Sequence, residues 1–443
     1  MSTTLIVNVG NDSCYQDLDI AIEPPYWSIM LGSYLERIGE KVRILDLNCE
    51  EYFTIMVELE EEGGIAGRYD KFIVLAHGHN PSASTQLMDR AFEIGRGLGR
   101  YVRQGQFVYM GGGHVERNHI TASESSGSAL PLAEGGVLRE WGRDNYGSKE
   151  QQELNWDLVD MRRYRAHNWH CLGGLDRGGY GVIYTSFGCP FNCEYCCVGG
   201  KGISFRDVKI VLKDIDGLVL RGIKNLKIAD EIFFFKKSHY MPILEGLVER
   251  NYGLNIWCYA RPDMLDYEIL ELAKKAGINW LALGIEGTRD GKCGKDIGTV
   301  VKTIQDSGIN VIGNYMFGLV GDTFESMQAT LDLALELNCE YANFYCVMAY
   351  PGSRLYEKEL AKGSHARLPL TWSGYGQYSI DSMPLPTESL SSADILLFRD
   401  NAFNEYFNSP KYLDMIRAKF GEDTMNGIKR TASIRLRRAD GVV

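Results

Sequence analysis

The chain has 443 residues, 45% hydrophobic and 24% charged, with 47 Lys and Arg against 58 Asp and Glu for a net charge of −11. At about 150 residues per domain, this length implies about three domains of ordinary soluble composition. The acidic balance repels phosphate backbones and excludes nucleic acid as a default partner. No apolar run reaches the ~18 residues of a membrane span, and Met1-Ser2-Thr3-Thr4 opens without the positive region of a secretory signal.

In chain order, residues 1–145 alternate strands and helices. Leu5-Ile6-Val7-Asn8-Val9 is a first strand, Trp27 to Ile38 a helix, and Val42 to Asp46, Phe72 to Ala76 and Phe107 to Met110 are further strands. That alternation predicts an α/β fold with a parallel, doubly wound sheet, whose ligands bind beyond the carboxyl ends of the strands. The third strand runs into His77-Gly78-His79-Asn80-Pro81-Ser82-Ala83-Ser84-Thr85, and the fourth into Gly111-Gly112-Gly113-His114. Small residues there let a large flat ligand approach the backbone.

Residues 146–180 form a polar linker, expected over the active site, that contains Tyr164-Arg165-Ala166-His167-Asn168-Trp169-His170. From 181 to 362 a second series has strands centred near Ile183, Lys227, Trp257, Ala282, Ile312 and Phe344, spaced as βα units. Six units make a partial barrel with its site at the strands' carboxyl ends. Residues 363–443 read as a small helical cap, with Leu390 to Phe407 and Tyr412 to Phe420 as helices. The basic cluster Lys429, Arg430, Arg435, Arg437 and Arg438 reads as a solvated tail.

Eleven cysteines without a secretory signal predict free thiols or metal ligands in a reducing cytoplasm. Cys14, Cys49, Cys171, Cys258, Cys293, Cys339 and Cys346 are scattered and read as core thiols. Gly188-Cys189-Pro190-Phe191-Asn192-Cys193-Glu194-Tyr195-Cys196 is different: its C-x₃-C-x₂-C spacing follows the strand Val182 to Thr185. Three thiolates on one tight loop hold three irons of a [4Fe–4S] cluster and leave the fourth open to a chelating small molecule. A zinc site would want a second ligand pair, and none exists. Cys197 breaks the spacing and is expected to pack behind the loop.

This loop after a barrel's first strand resembles the radical S-adenosylmethionine (radical SAM) superfamily. The resemblance implies that the open iron binds the methionine moiety of S-adenosylmethionine and that its cleavage gives a 5′-deoxyadenosyl radical. It also implies a flavodoxin- or ferredoxin-type electron donor. Tyr195 holds the position near the adenine. Asp230, Glu231, Arg261 and Glu286 follow successive strands where relatives bind the cofactor's polar groups. Phe317-Gly318-Leu319-Val320-Gly321-Asp322-Thr323 resembles the family's Gly-Leu-Pro-Gly-Glu-Thr turn, with Val320 and Asp322 as departures. Ala349-Tyr350-Pro351-Gly352-Ser353 resembles its Pro-Gly-Thr segment.

A doubly wound domain ahead of such a barrel resembles the cobalamin-dependent branch. That resemblance assigns His77, Ser82, Ser84, Thr85, Gly111, Gly112, Gly113 and His114 to the corrinoid. No Asp-x-His-x-x-Gly supplies a lower axial histidine, and His77 or His79 is left either near that face or as a structural residue. His170, Trp169 and Arg165 either line the corrinoid–cluster junction or form a packed linker. The activity implied is methylation of an unactivated carbon of a small molecule or peptide, the methyl coming from methylcobalamin. A non-methylating rearrangement, ring contraction or oxidative cyclisation with the same cofactors is the alternative. A non-catalytic corrinoid sensor would not need the cysteine loop.

Overall fold

The computed structural model describes residues 2–10, 21–50, 68–78, 85–99, 107–111, 129–131, 152–200, 202–265, 267–288, 296–363 and 365–439. The first strands are β1 (Thr3–Asn8), β2 (Lys41–Asp46), β3 (Lys71–Leu75), β4 (Phe107–Gly111) and β5 (Ala129–Pro131). They form one sheet in the order β2-β1-β3-β4-β5, with every pairing parallel. Helix α1 (Tyr26–Arg37) covers the face carrying Ile6, Ile44 and Ile73. Helix α2 (Met88–Gly99) covers the face carrying Leu5, Val7, Phe72 and Val74. Strands buried on both faces read as unbroken apolar runs, and these do. The order reverses between β1 and β3, so the binding crevice of such a sheet lies at their carboxyl ends.

The second sheet has six strands: β6 (Tyr180–Ile183), β9 (Asn225–Ile228), β10 (Asn255–Ala260), β11 (Ile278–Glu286), β12 (Asn310–Phe317) and β13 (Tyr341–Cys346). They pair in parallel in chain order, with β6 and β13 left as the two edges. This is the partial barrel that the βα spacing predicts. Along β11, Leu281, Leu283 and Ile285 join the core under the helices, while Trp280 and Ala282 turn into a separate inner cluster. The helices are α3 (Val208–Leu220), α4 (Lys237–Arg250), α5 (Leu270–Lys275), α6 (Ile297–Asp306), α7 (Phe324–Leu337) and α8 (Arg354–Ala361). One addition escapes the period: an antiparallel hairpin, β7 (Ser186–Cys189) with β8 (Gly202–Phe205), stands between β6 and α3.

The last three helices, α9 (Ser392–Asn408), α10 (Pro410–Phe420) and α11 (Glu422–Ala432), pack along the last barrel strands, and the 365–391 segment before them lies beyond the carboxyl end of β13, where Gln377 bonds Cys346 at 2.9 Å and the Leu385 amide donates to the Val347 carbonyl at 3.0 Å. Tyr406 donates to the Cys339 carbonyl at 2.7 Å and Tyr412 to that of Glu340 at 3.2 Å, both just before β13 begins. Phe420 stacks on Trp280 near the start of β11. The basic tail is corrected in one residue. Lys429, Arg430, Arg435 and Arg437 are exposed, but Arg438 is buried, paired with Asp400 at 3.0 Å and donating to the Ser379 carbonyl at 2.8 Å. Among the described residues, no helix is long and apolar enough to cross a membrane.

Candidate active site

The cysteine loop is built on the β7–β8 hairpin. Asp230, fully buried after β9, accepts from the Thr185 amide, the Thr185 hydroxyl and the Ser186 hydroxyl, each at 2.6 Å. Those bonds fix where the hairpin leaves the barrel. Asp230 is therefore placed as a brace, with its carboxylate turned onto the chain that carries the cysteines. Its neighbour Glu231 is half-buried and acts electrostatically on Cys189, Cys196 and Tyr259, so it faces the mouth.

Cys189 ends β7, and the loop closes on itself. The Gly200 amide donates to the Phe191 carbonyl at 2.9 Å, and the Cys196 amide to that of Cys193 at 3.2 Å. A side chain at Gly199 would place its Cβ 2.2 Å from the Phe191 carbonyl oxygen, so only glycine fits there. Cys189, Cys193 and Cys196 are half-exposed free thiols, and Cys197 is buried behind them as expected. Burial pushes the Cys196 thiol up to about 11 and raises Cys189 as well, against the pull of backbone amides at Val198, Gly199 and Phe191. The Val198 amide lies 3.4 Å from the Cys196 sulfur.

No three His, Cys, Asp or Glu side chains among the described residues converge on one ion.

Around the loop, Arg261 lies 4.0 Å over the Phe191 ring and holds Asp263 bidentately at 3.0 and 2.7 Å. Tyr195 packs against the buried cluster of Val347, Ala349, Leu355, Leu368 and Leu385. The Leu355 amide donates to the Glu194 carbonyl at 2.9 Å, so α8 braces the loop from the far wall. Glu286 ends β11 at φ 64° beside a shift in register against β12, a left-handed backbone unusual outside glycine. Its side chain folds over Gly284, where a Cβ would sit 3.0 Å from Oε1. Strain of this kind persists where a side chain must be aimed. The departure at Asp322 is also explained: its carboxylate takes the Gly318 and Leu319 amides at 3.1 and 2.8 Å and the Ser326 hydroxyl at 2.7 Å, closing the turn before α7.

The other wall comes from the N-terminal sheet. His77, just past β3, stacks on Trp27 with ring centres 4.3 Å apart, and its Nδ1 donates to the Gly78 carbonyl at 2.9 Å. Trp27 in turn packs on Tyr184 at 5.2 Å and Phe187 at 5.4 Å, at the root of the cysteine hairpin. Beside it Arg206, buried and paired with Asp214 at 2.6 Å, donates to Tyr26 at 3.2 Å. Thr85 is buried and Gly111 ends β4. His79, Ser82, Ser84, Gly112, Gly113 and His114 lie outside the described residues.

The 164–171 segment is a packed linker, but it lies at the amino-terminal end of the barrel and not over the mouth as expected. Trp169 is wedged against Trp257 at 5.2 Å, Trp280 at 5.6 Å and Tyr341 at 5.8 Å, plugging the barrel from its amino-terminal end. His170 is buried beside it, while Arg165 is exposed and bridges by backbone to Ile22 and Gly178. Sequence reasoning missed one inward group, Lys227, although a lysine between Leu226 and Ile228 in a barrel strand was the available signal.

Residues 183–334 match the family model of the Radical SAM superfamily, so the barrel is a radical SAM domain. An uncharacterized methyltransferase of Pyrococcus horikoshii is 26% identical over 271 residues, 58% of this chain and 56% of its own length; the chain thus spans just over half of that relative. The radical S-adenosylmethionine methyltransferase TsrM from Kitasatospora setae, solved with tryptophan and a SAM analogue, has a TM-score of 0.62 at 19% identity. That match covers 83% of this chain and 78% of TsrM. The cobalamin-dependent S-adenosylmethionine radical enzyme OxsB, solved with aqua-cobalamin and S-adenosylmethionine, has a TM-score of 0.63 at 13% identity, over 98% of this chain and 72% of OxsB. The architecture of sheet domain, barrel and helical tail is that of these enzymes.

Proposed function

We propose that this chain, whose barrel is a radical SAM domain, is a cobalamin-dependent methyltransferase acting on an unactivated carbon of a small molecule or peptide. The observation that carries the reading is the shared wall. Trp27 touches both His77 at the carboxyl end of the N-terminal sheet and Tyr184 and Phe187 at the root of the cysteine hairpin. A corrinoid on the sheet and a cluster on the hairpin would then face one cavity.

When bound, the cluster and S-adenosylmethionine supply a 5′-deoxyadenosyl radical and the corrinoid supplies a methyl group. The residues of the chain bind, orient and keep water out. Cys189, Cys193 and Cys196 hold the cluster. Tyr195, Glu231, Arg261 and Glu286 hold S-adenosylmethionine, with Asp230 bracing the hairpin behind them. His77, Thr85 and Gly111, with Ser82, Ser84, Gly112, Gly113 and His114, receive the corrinoid. A flavodoxin- or ferredoxin-type donor and a reducing cytoplasm complete the reading, which the free thiols at all nine described cysteines support.

The test is anaerobic incubation of reconstituted protein with S-adenosylmethionine, hydroxocobalamin and reductant. The reading requires both 5′-deoxyadenosine and S-adenosylhomocysteine. Absence of 5′-deoxyadenosine sinks the radical assignment. Deoxyadenosine without S-adenosylhomocysteine replaces methylation by rearrangement or cyclisation.

A further inference from the structure

Between the Trp169 plug and the mouth, the barrel is not filled by its own side chains. Tyr259 on β10, Asn314 and Met316 on β12, and Asn343 and Tyr345 on β13 are partly exposed, while the residues alternating with them are buried under the helices. Inward side chains that keep exposed surface mark an open volume. Its floor is closed by groups that satisfy one another. Lys227, inward on β9 and 3% exposed, meets Glu23 of the N-terminal domain at 3.0 and 3.1 Å, and Tyr180 donates to Glu23 at 3.1 Å. The groups above this floor are different.

One of them ends a chain of amides. Gly284, Asn314 and Asn343 lie in register across β11, β12 and β13. Asn314 Nδ2 donates to the Leu283 carbonyl at 3.0 Å. A backbone carbonyl only accepts, so Asn314 turns its nitrogen to Leu283 and its oxygen away. Asn343 Nδ2 donates to that oxygen at 2.9 Å. The polarity of the chain is thereby set from its backbone end. Asn343 Oδ1 finishes it as an acceptor with no partner among the described residues. Hydrogen bonds in such a chain polarise one another, which strengthens the last acceptor.

Two phenols complete the set. Tyr259 stands edge-on to Trp257 with ring centres 5.1 Å apart, so its ring rests on the plug. Tyr345 follows Asn343 by two residues on the same face of β13, roughly 7 Å nearer the mouth at 3.3 Å per residue. The two phenols come from β10 and β13, with β11 and β12 between them, and Tyr259 still acts electrostatically on Tyr345. Burial keeps both in the protonated form that donates. Neither hydroxyl has a hydrogen-bond partner among the described residues. Polar groups in an interior are almost always paired, so groups left open call for an explanation. A few convergent polar atoms on an aromatic-lined cavity are what fixes a ligand's orientation.

We propose that Asn343, Tyr259 and Tyr345 recognise the substrate, and that the substrate is a small molecule bearing an amide or lactam. Its N–H donates to Asn343 Oδ1, and its carbonyl oxygen accepts from the phenols. The set lies in the cavity that the proposed function gives to the substrate and rests on that reading, but its test needs no turnover. Binding of benzamide, acetophenone and cumene, which share one shape, is measured by calorimetry. The protein is loaded with cobalamin and cluster and saturated with S-adenosylmethionine, without reductant. Benzamide should bind about 10-fold tighter than acetophenone, which lacks the N–H, and acetophenone tighter than cumene, which lacks the carbonyl as well.

Asn343→Leu should abolish the first step. Tyr259→Phe and Tyr345→Phe should each weaken benzamide and acetophenone about 5-fold or more and leave cumene unchanged. Because each hydroxyl is without a partner among the described residues, neither Phe variant should lower the urea midpoint, which loss of a structural bond would do. Affinity for S-adenosylmethionine should be unchanged in all three variants. Equal binding of benzamide and acetophenone to wild type, binding of none, unchanged carbonyl-probe affinity in either Phe variant, or a loss shared with S-adenosylmethionine overturns the set. 5′-Deoxyadenosine formed by the same wild-type preparation under reduction reports on the radical reading separately.

Discussion

The two ends of the barrel are built on opposite rules. At the mouth the candidate functional side chains are partly exposed, and the chain beneath them is braced: Asp230 holds Thr185 and Ser186, Asp322 holds Gly318 and Leu319, and the Leu355 amide holds Glu194. At the amino-terminal end the groups are consumed by one another. Trp169, Trp257 and Trp280 interlock, and Asn255 donates to Asn225 and accepts from Asn279. In barrels of this kind chemistry belongs to the carboxyl end and stability to the amino end. Here the difference is visible residue by residue as open sulfurs against closed rings.

The comparison breaks most sharply at a cysteine. Cys193→Ala removes a half-exposed thiol from a loop held by backbone bonds, so the fold should survive. Reconstituted variant should show no cluster absorbance and no 5′-deoxyadenosine, with a thermal midpoint close to wild type. Retained iron would refute the ligand assignment. Trp169→Ala attacks the other end. Large-to-small changes at buried aromatics cost about 3–5 kcal/mol, and this ring touches three strands of the barrel through Trp257, Trp280 and Tyr341. The urea midpoint should fall accordingly, while the surviving folded fraction still takes up cluster. A variant that kept its stability but lost its cluster would mean that the plug belongs to the site.

The same contrast explains what could be read from the residues alone. Except for the three-residue β5, both sheets were legible because buried parallel strands write continuous apolar runs, and the βα spacing marks every barrel strand within its observed bounds, from Ile183 to Phe344. The three cysteines proposed to hold the cluster stand out because they are close in sequence. Asp230 and Glu231 are adjacent, yet one braces and the other faces the mouth, and only the path of the chain separates them. The β7–β8 hairpin hid because four-residue strands with glycines at 188 and 202 carry too little pattern. Helix periodicity says which face of the C-terminal helices is apolar, not which strands they pack on. Glu23 and Lys227 are 204 residues apart, and nothing local joins them.

The smallest expected effect separates the two ends by pH. His170 is fully buried beside the plug, and both its ring nitrogens lack a hydrogen-bond partner among the described residues. Burial, helped by His167, pulls it down from 6.5 to about 3. Between those values the unfolded chain binds a proton that the folded chain refuses, so stability is complete above 6.5 and falls as pH drops toward 3. Going from pH 7.5 to 5.5 should cost about 1.4 kcal/mol through this group. The Asn255 side chain reaches His170 at its backbone carbonyl, so His170→Phe keeps that bond, fills the ring's place and cannot titrate. Urea midpoints of the cluster-free protein at the two pH values should differ less in the variant by about that amount. An identical pH slope in both would mean that water or a proton reaches the floor of the barrel, and the closed end would not be closed.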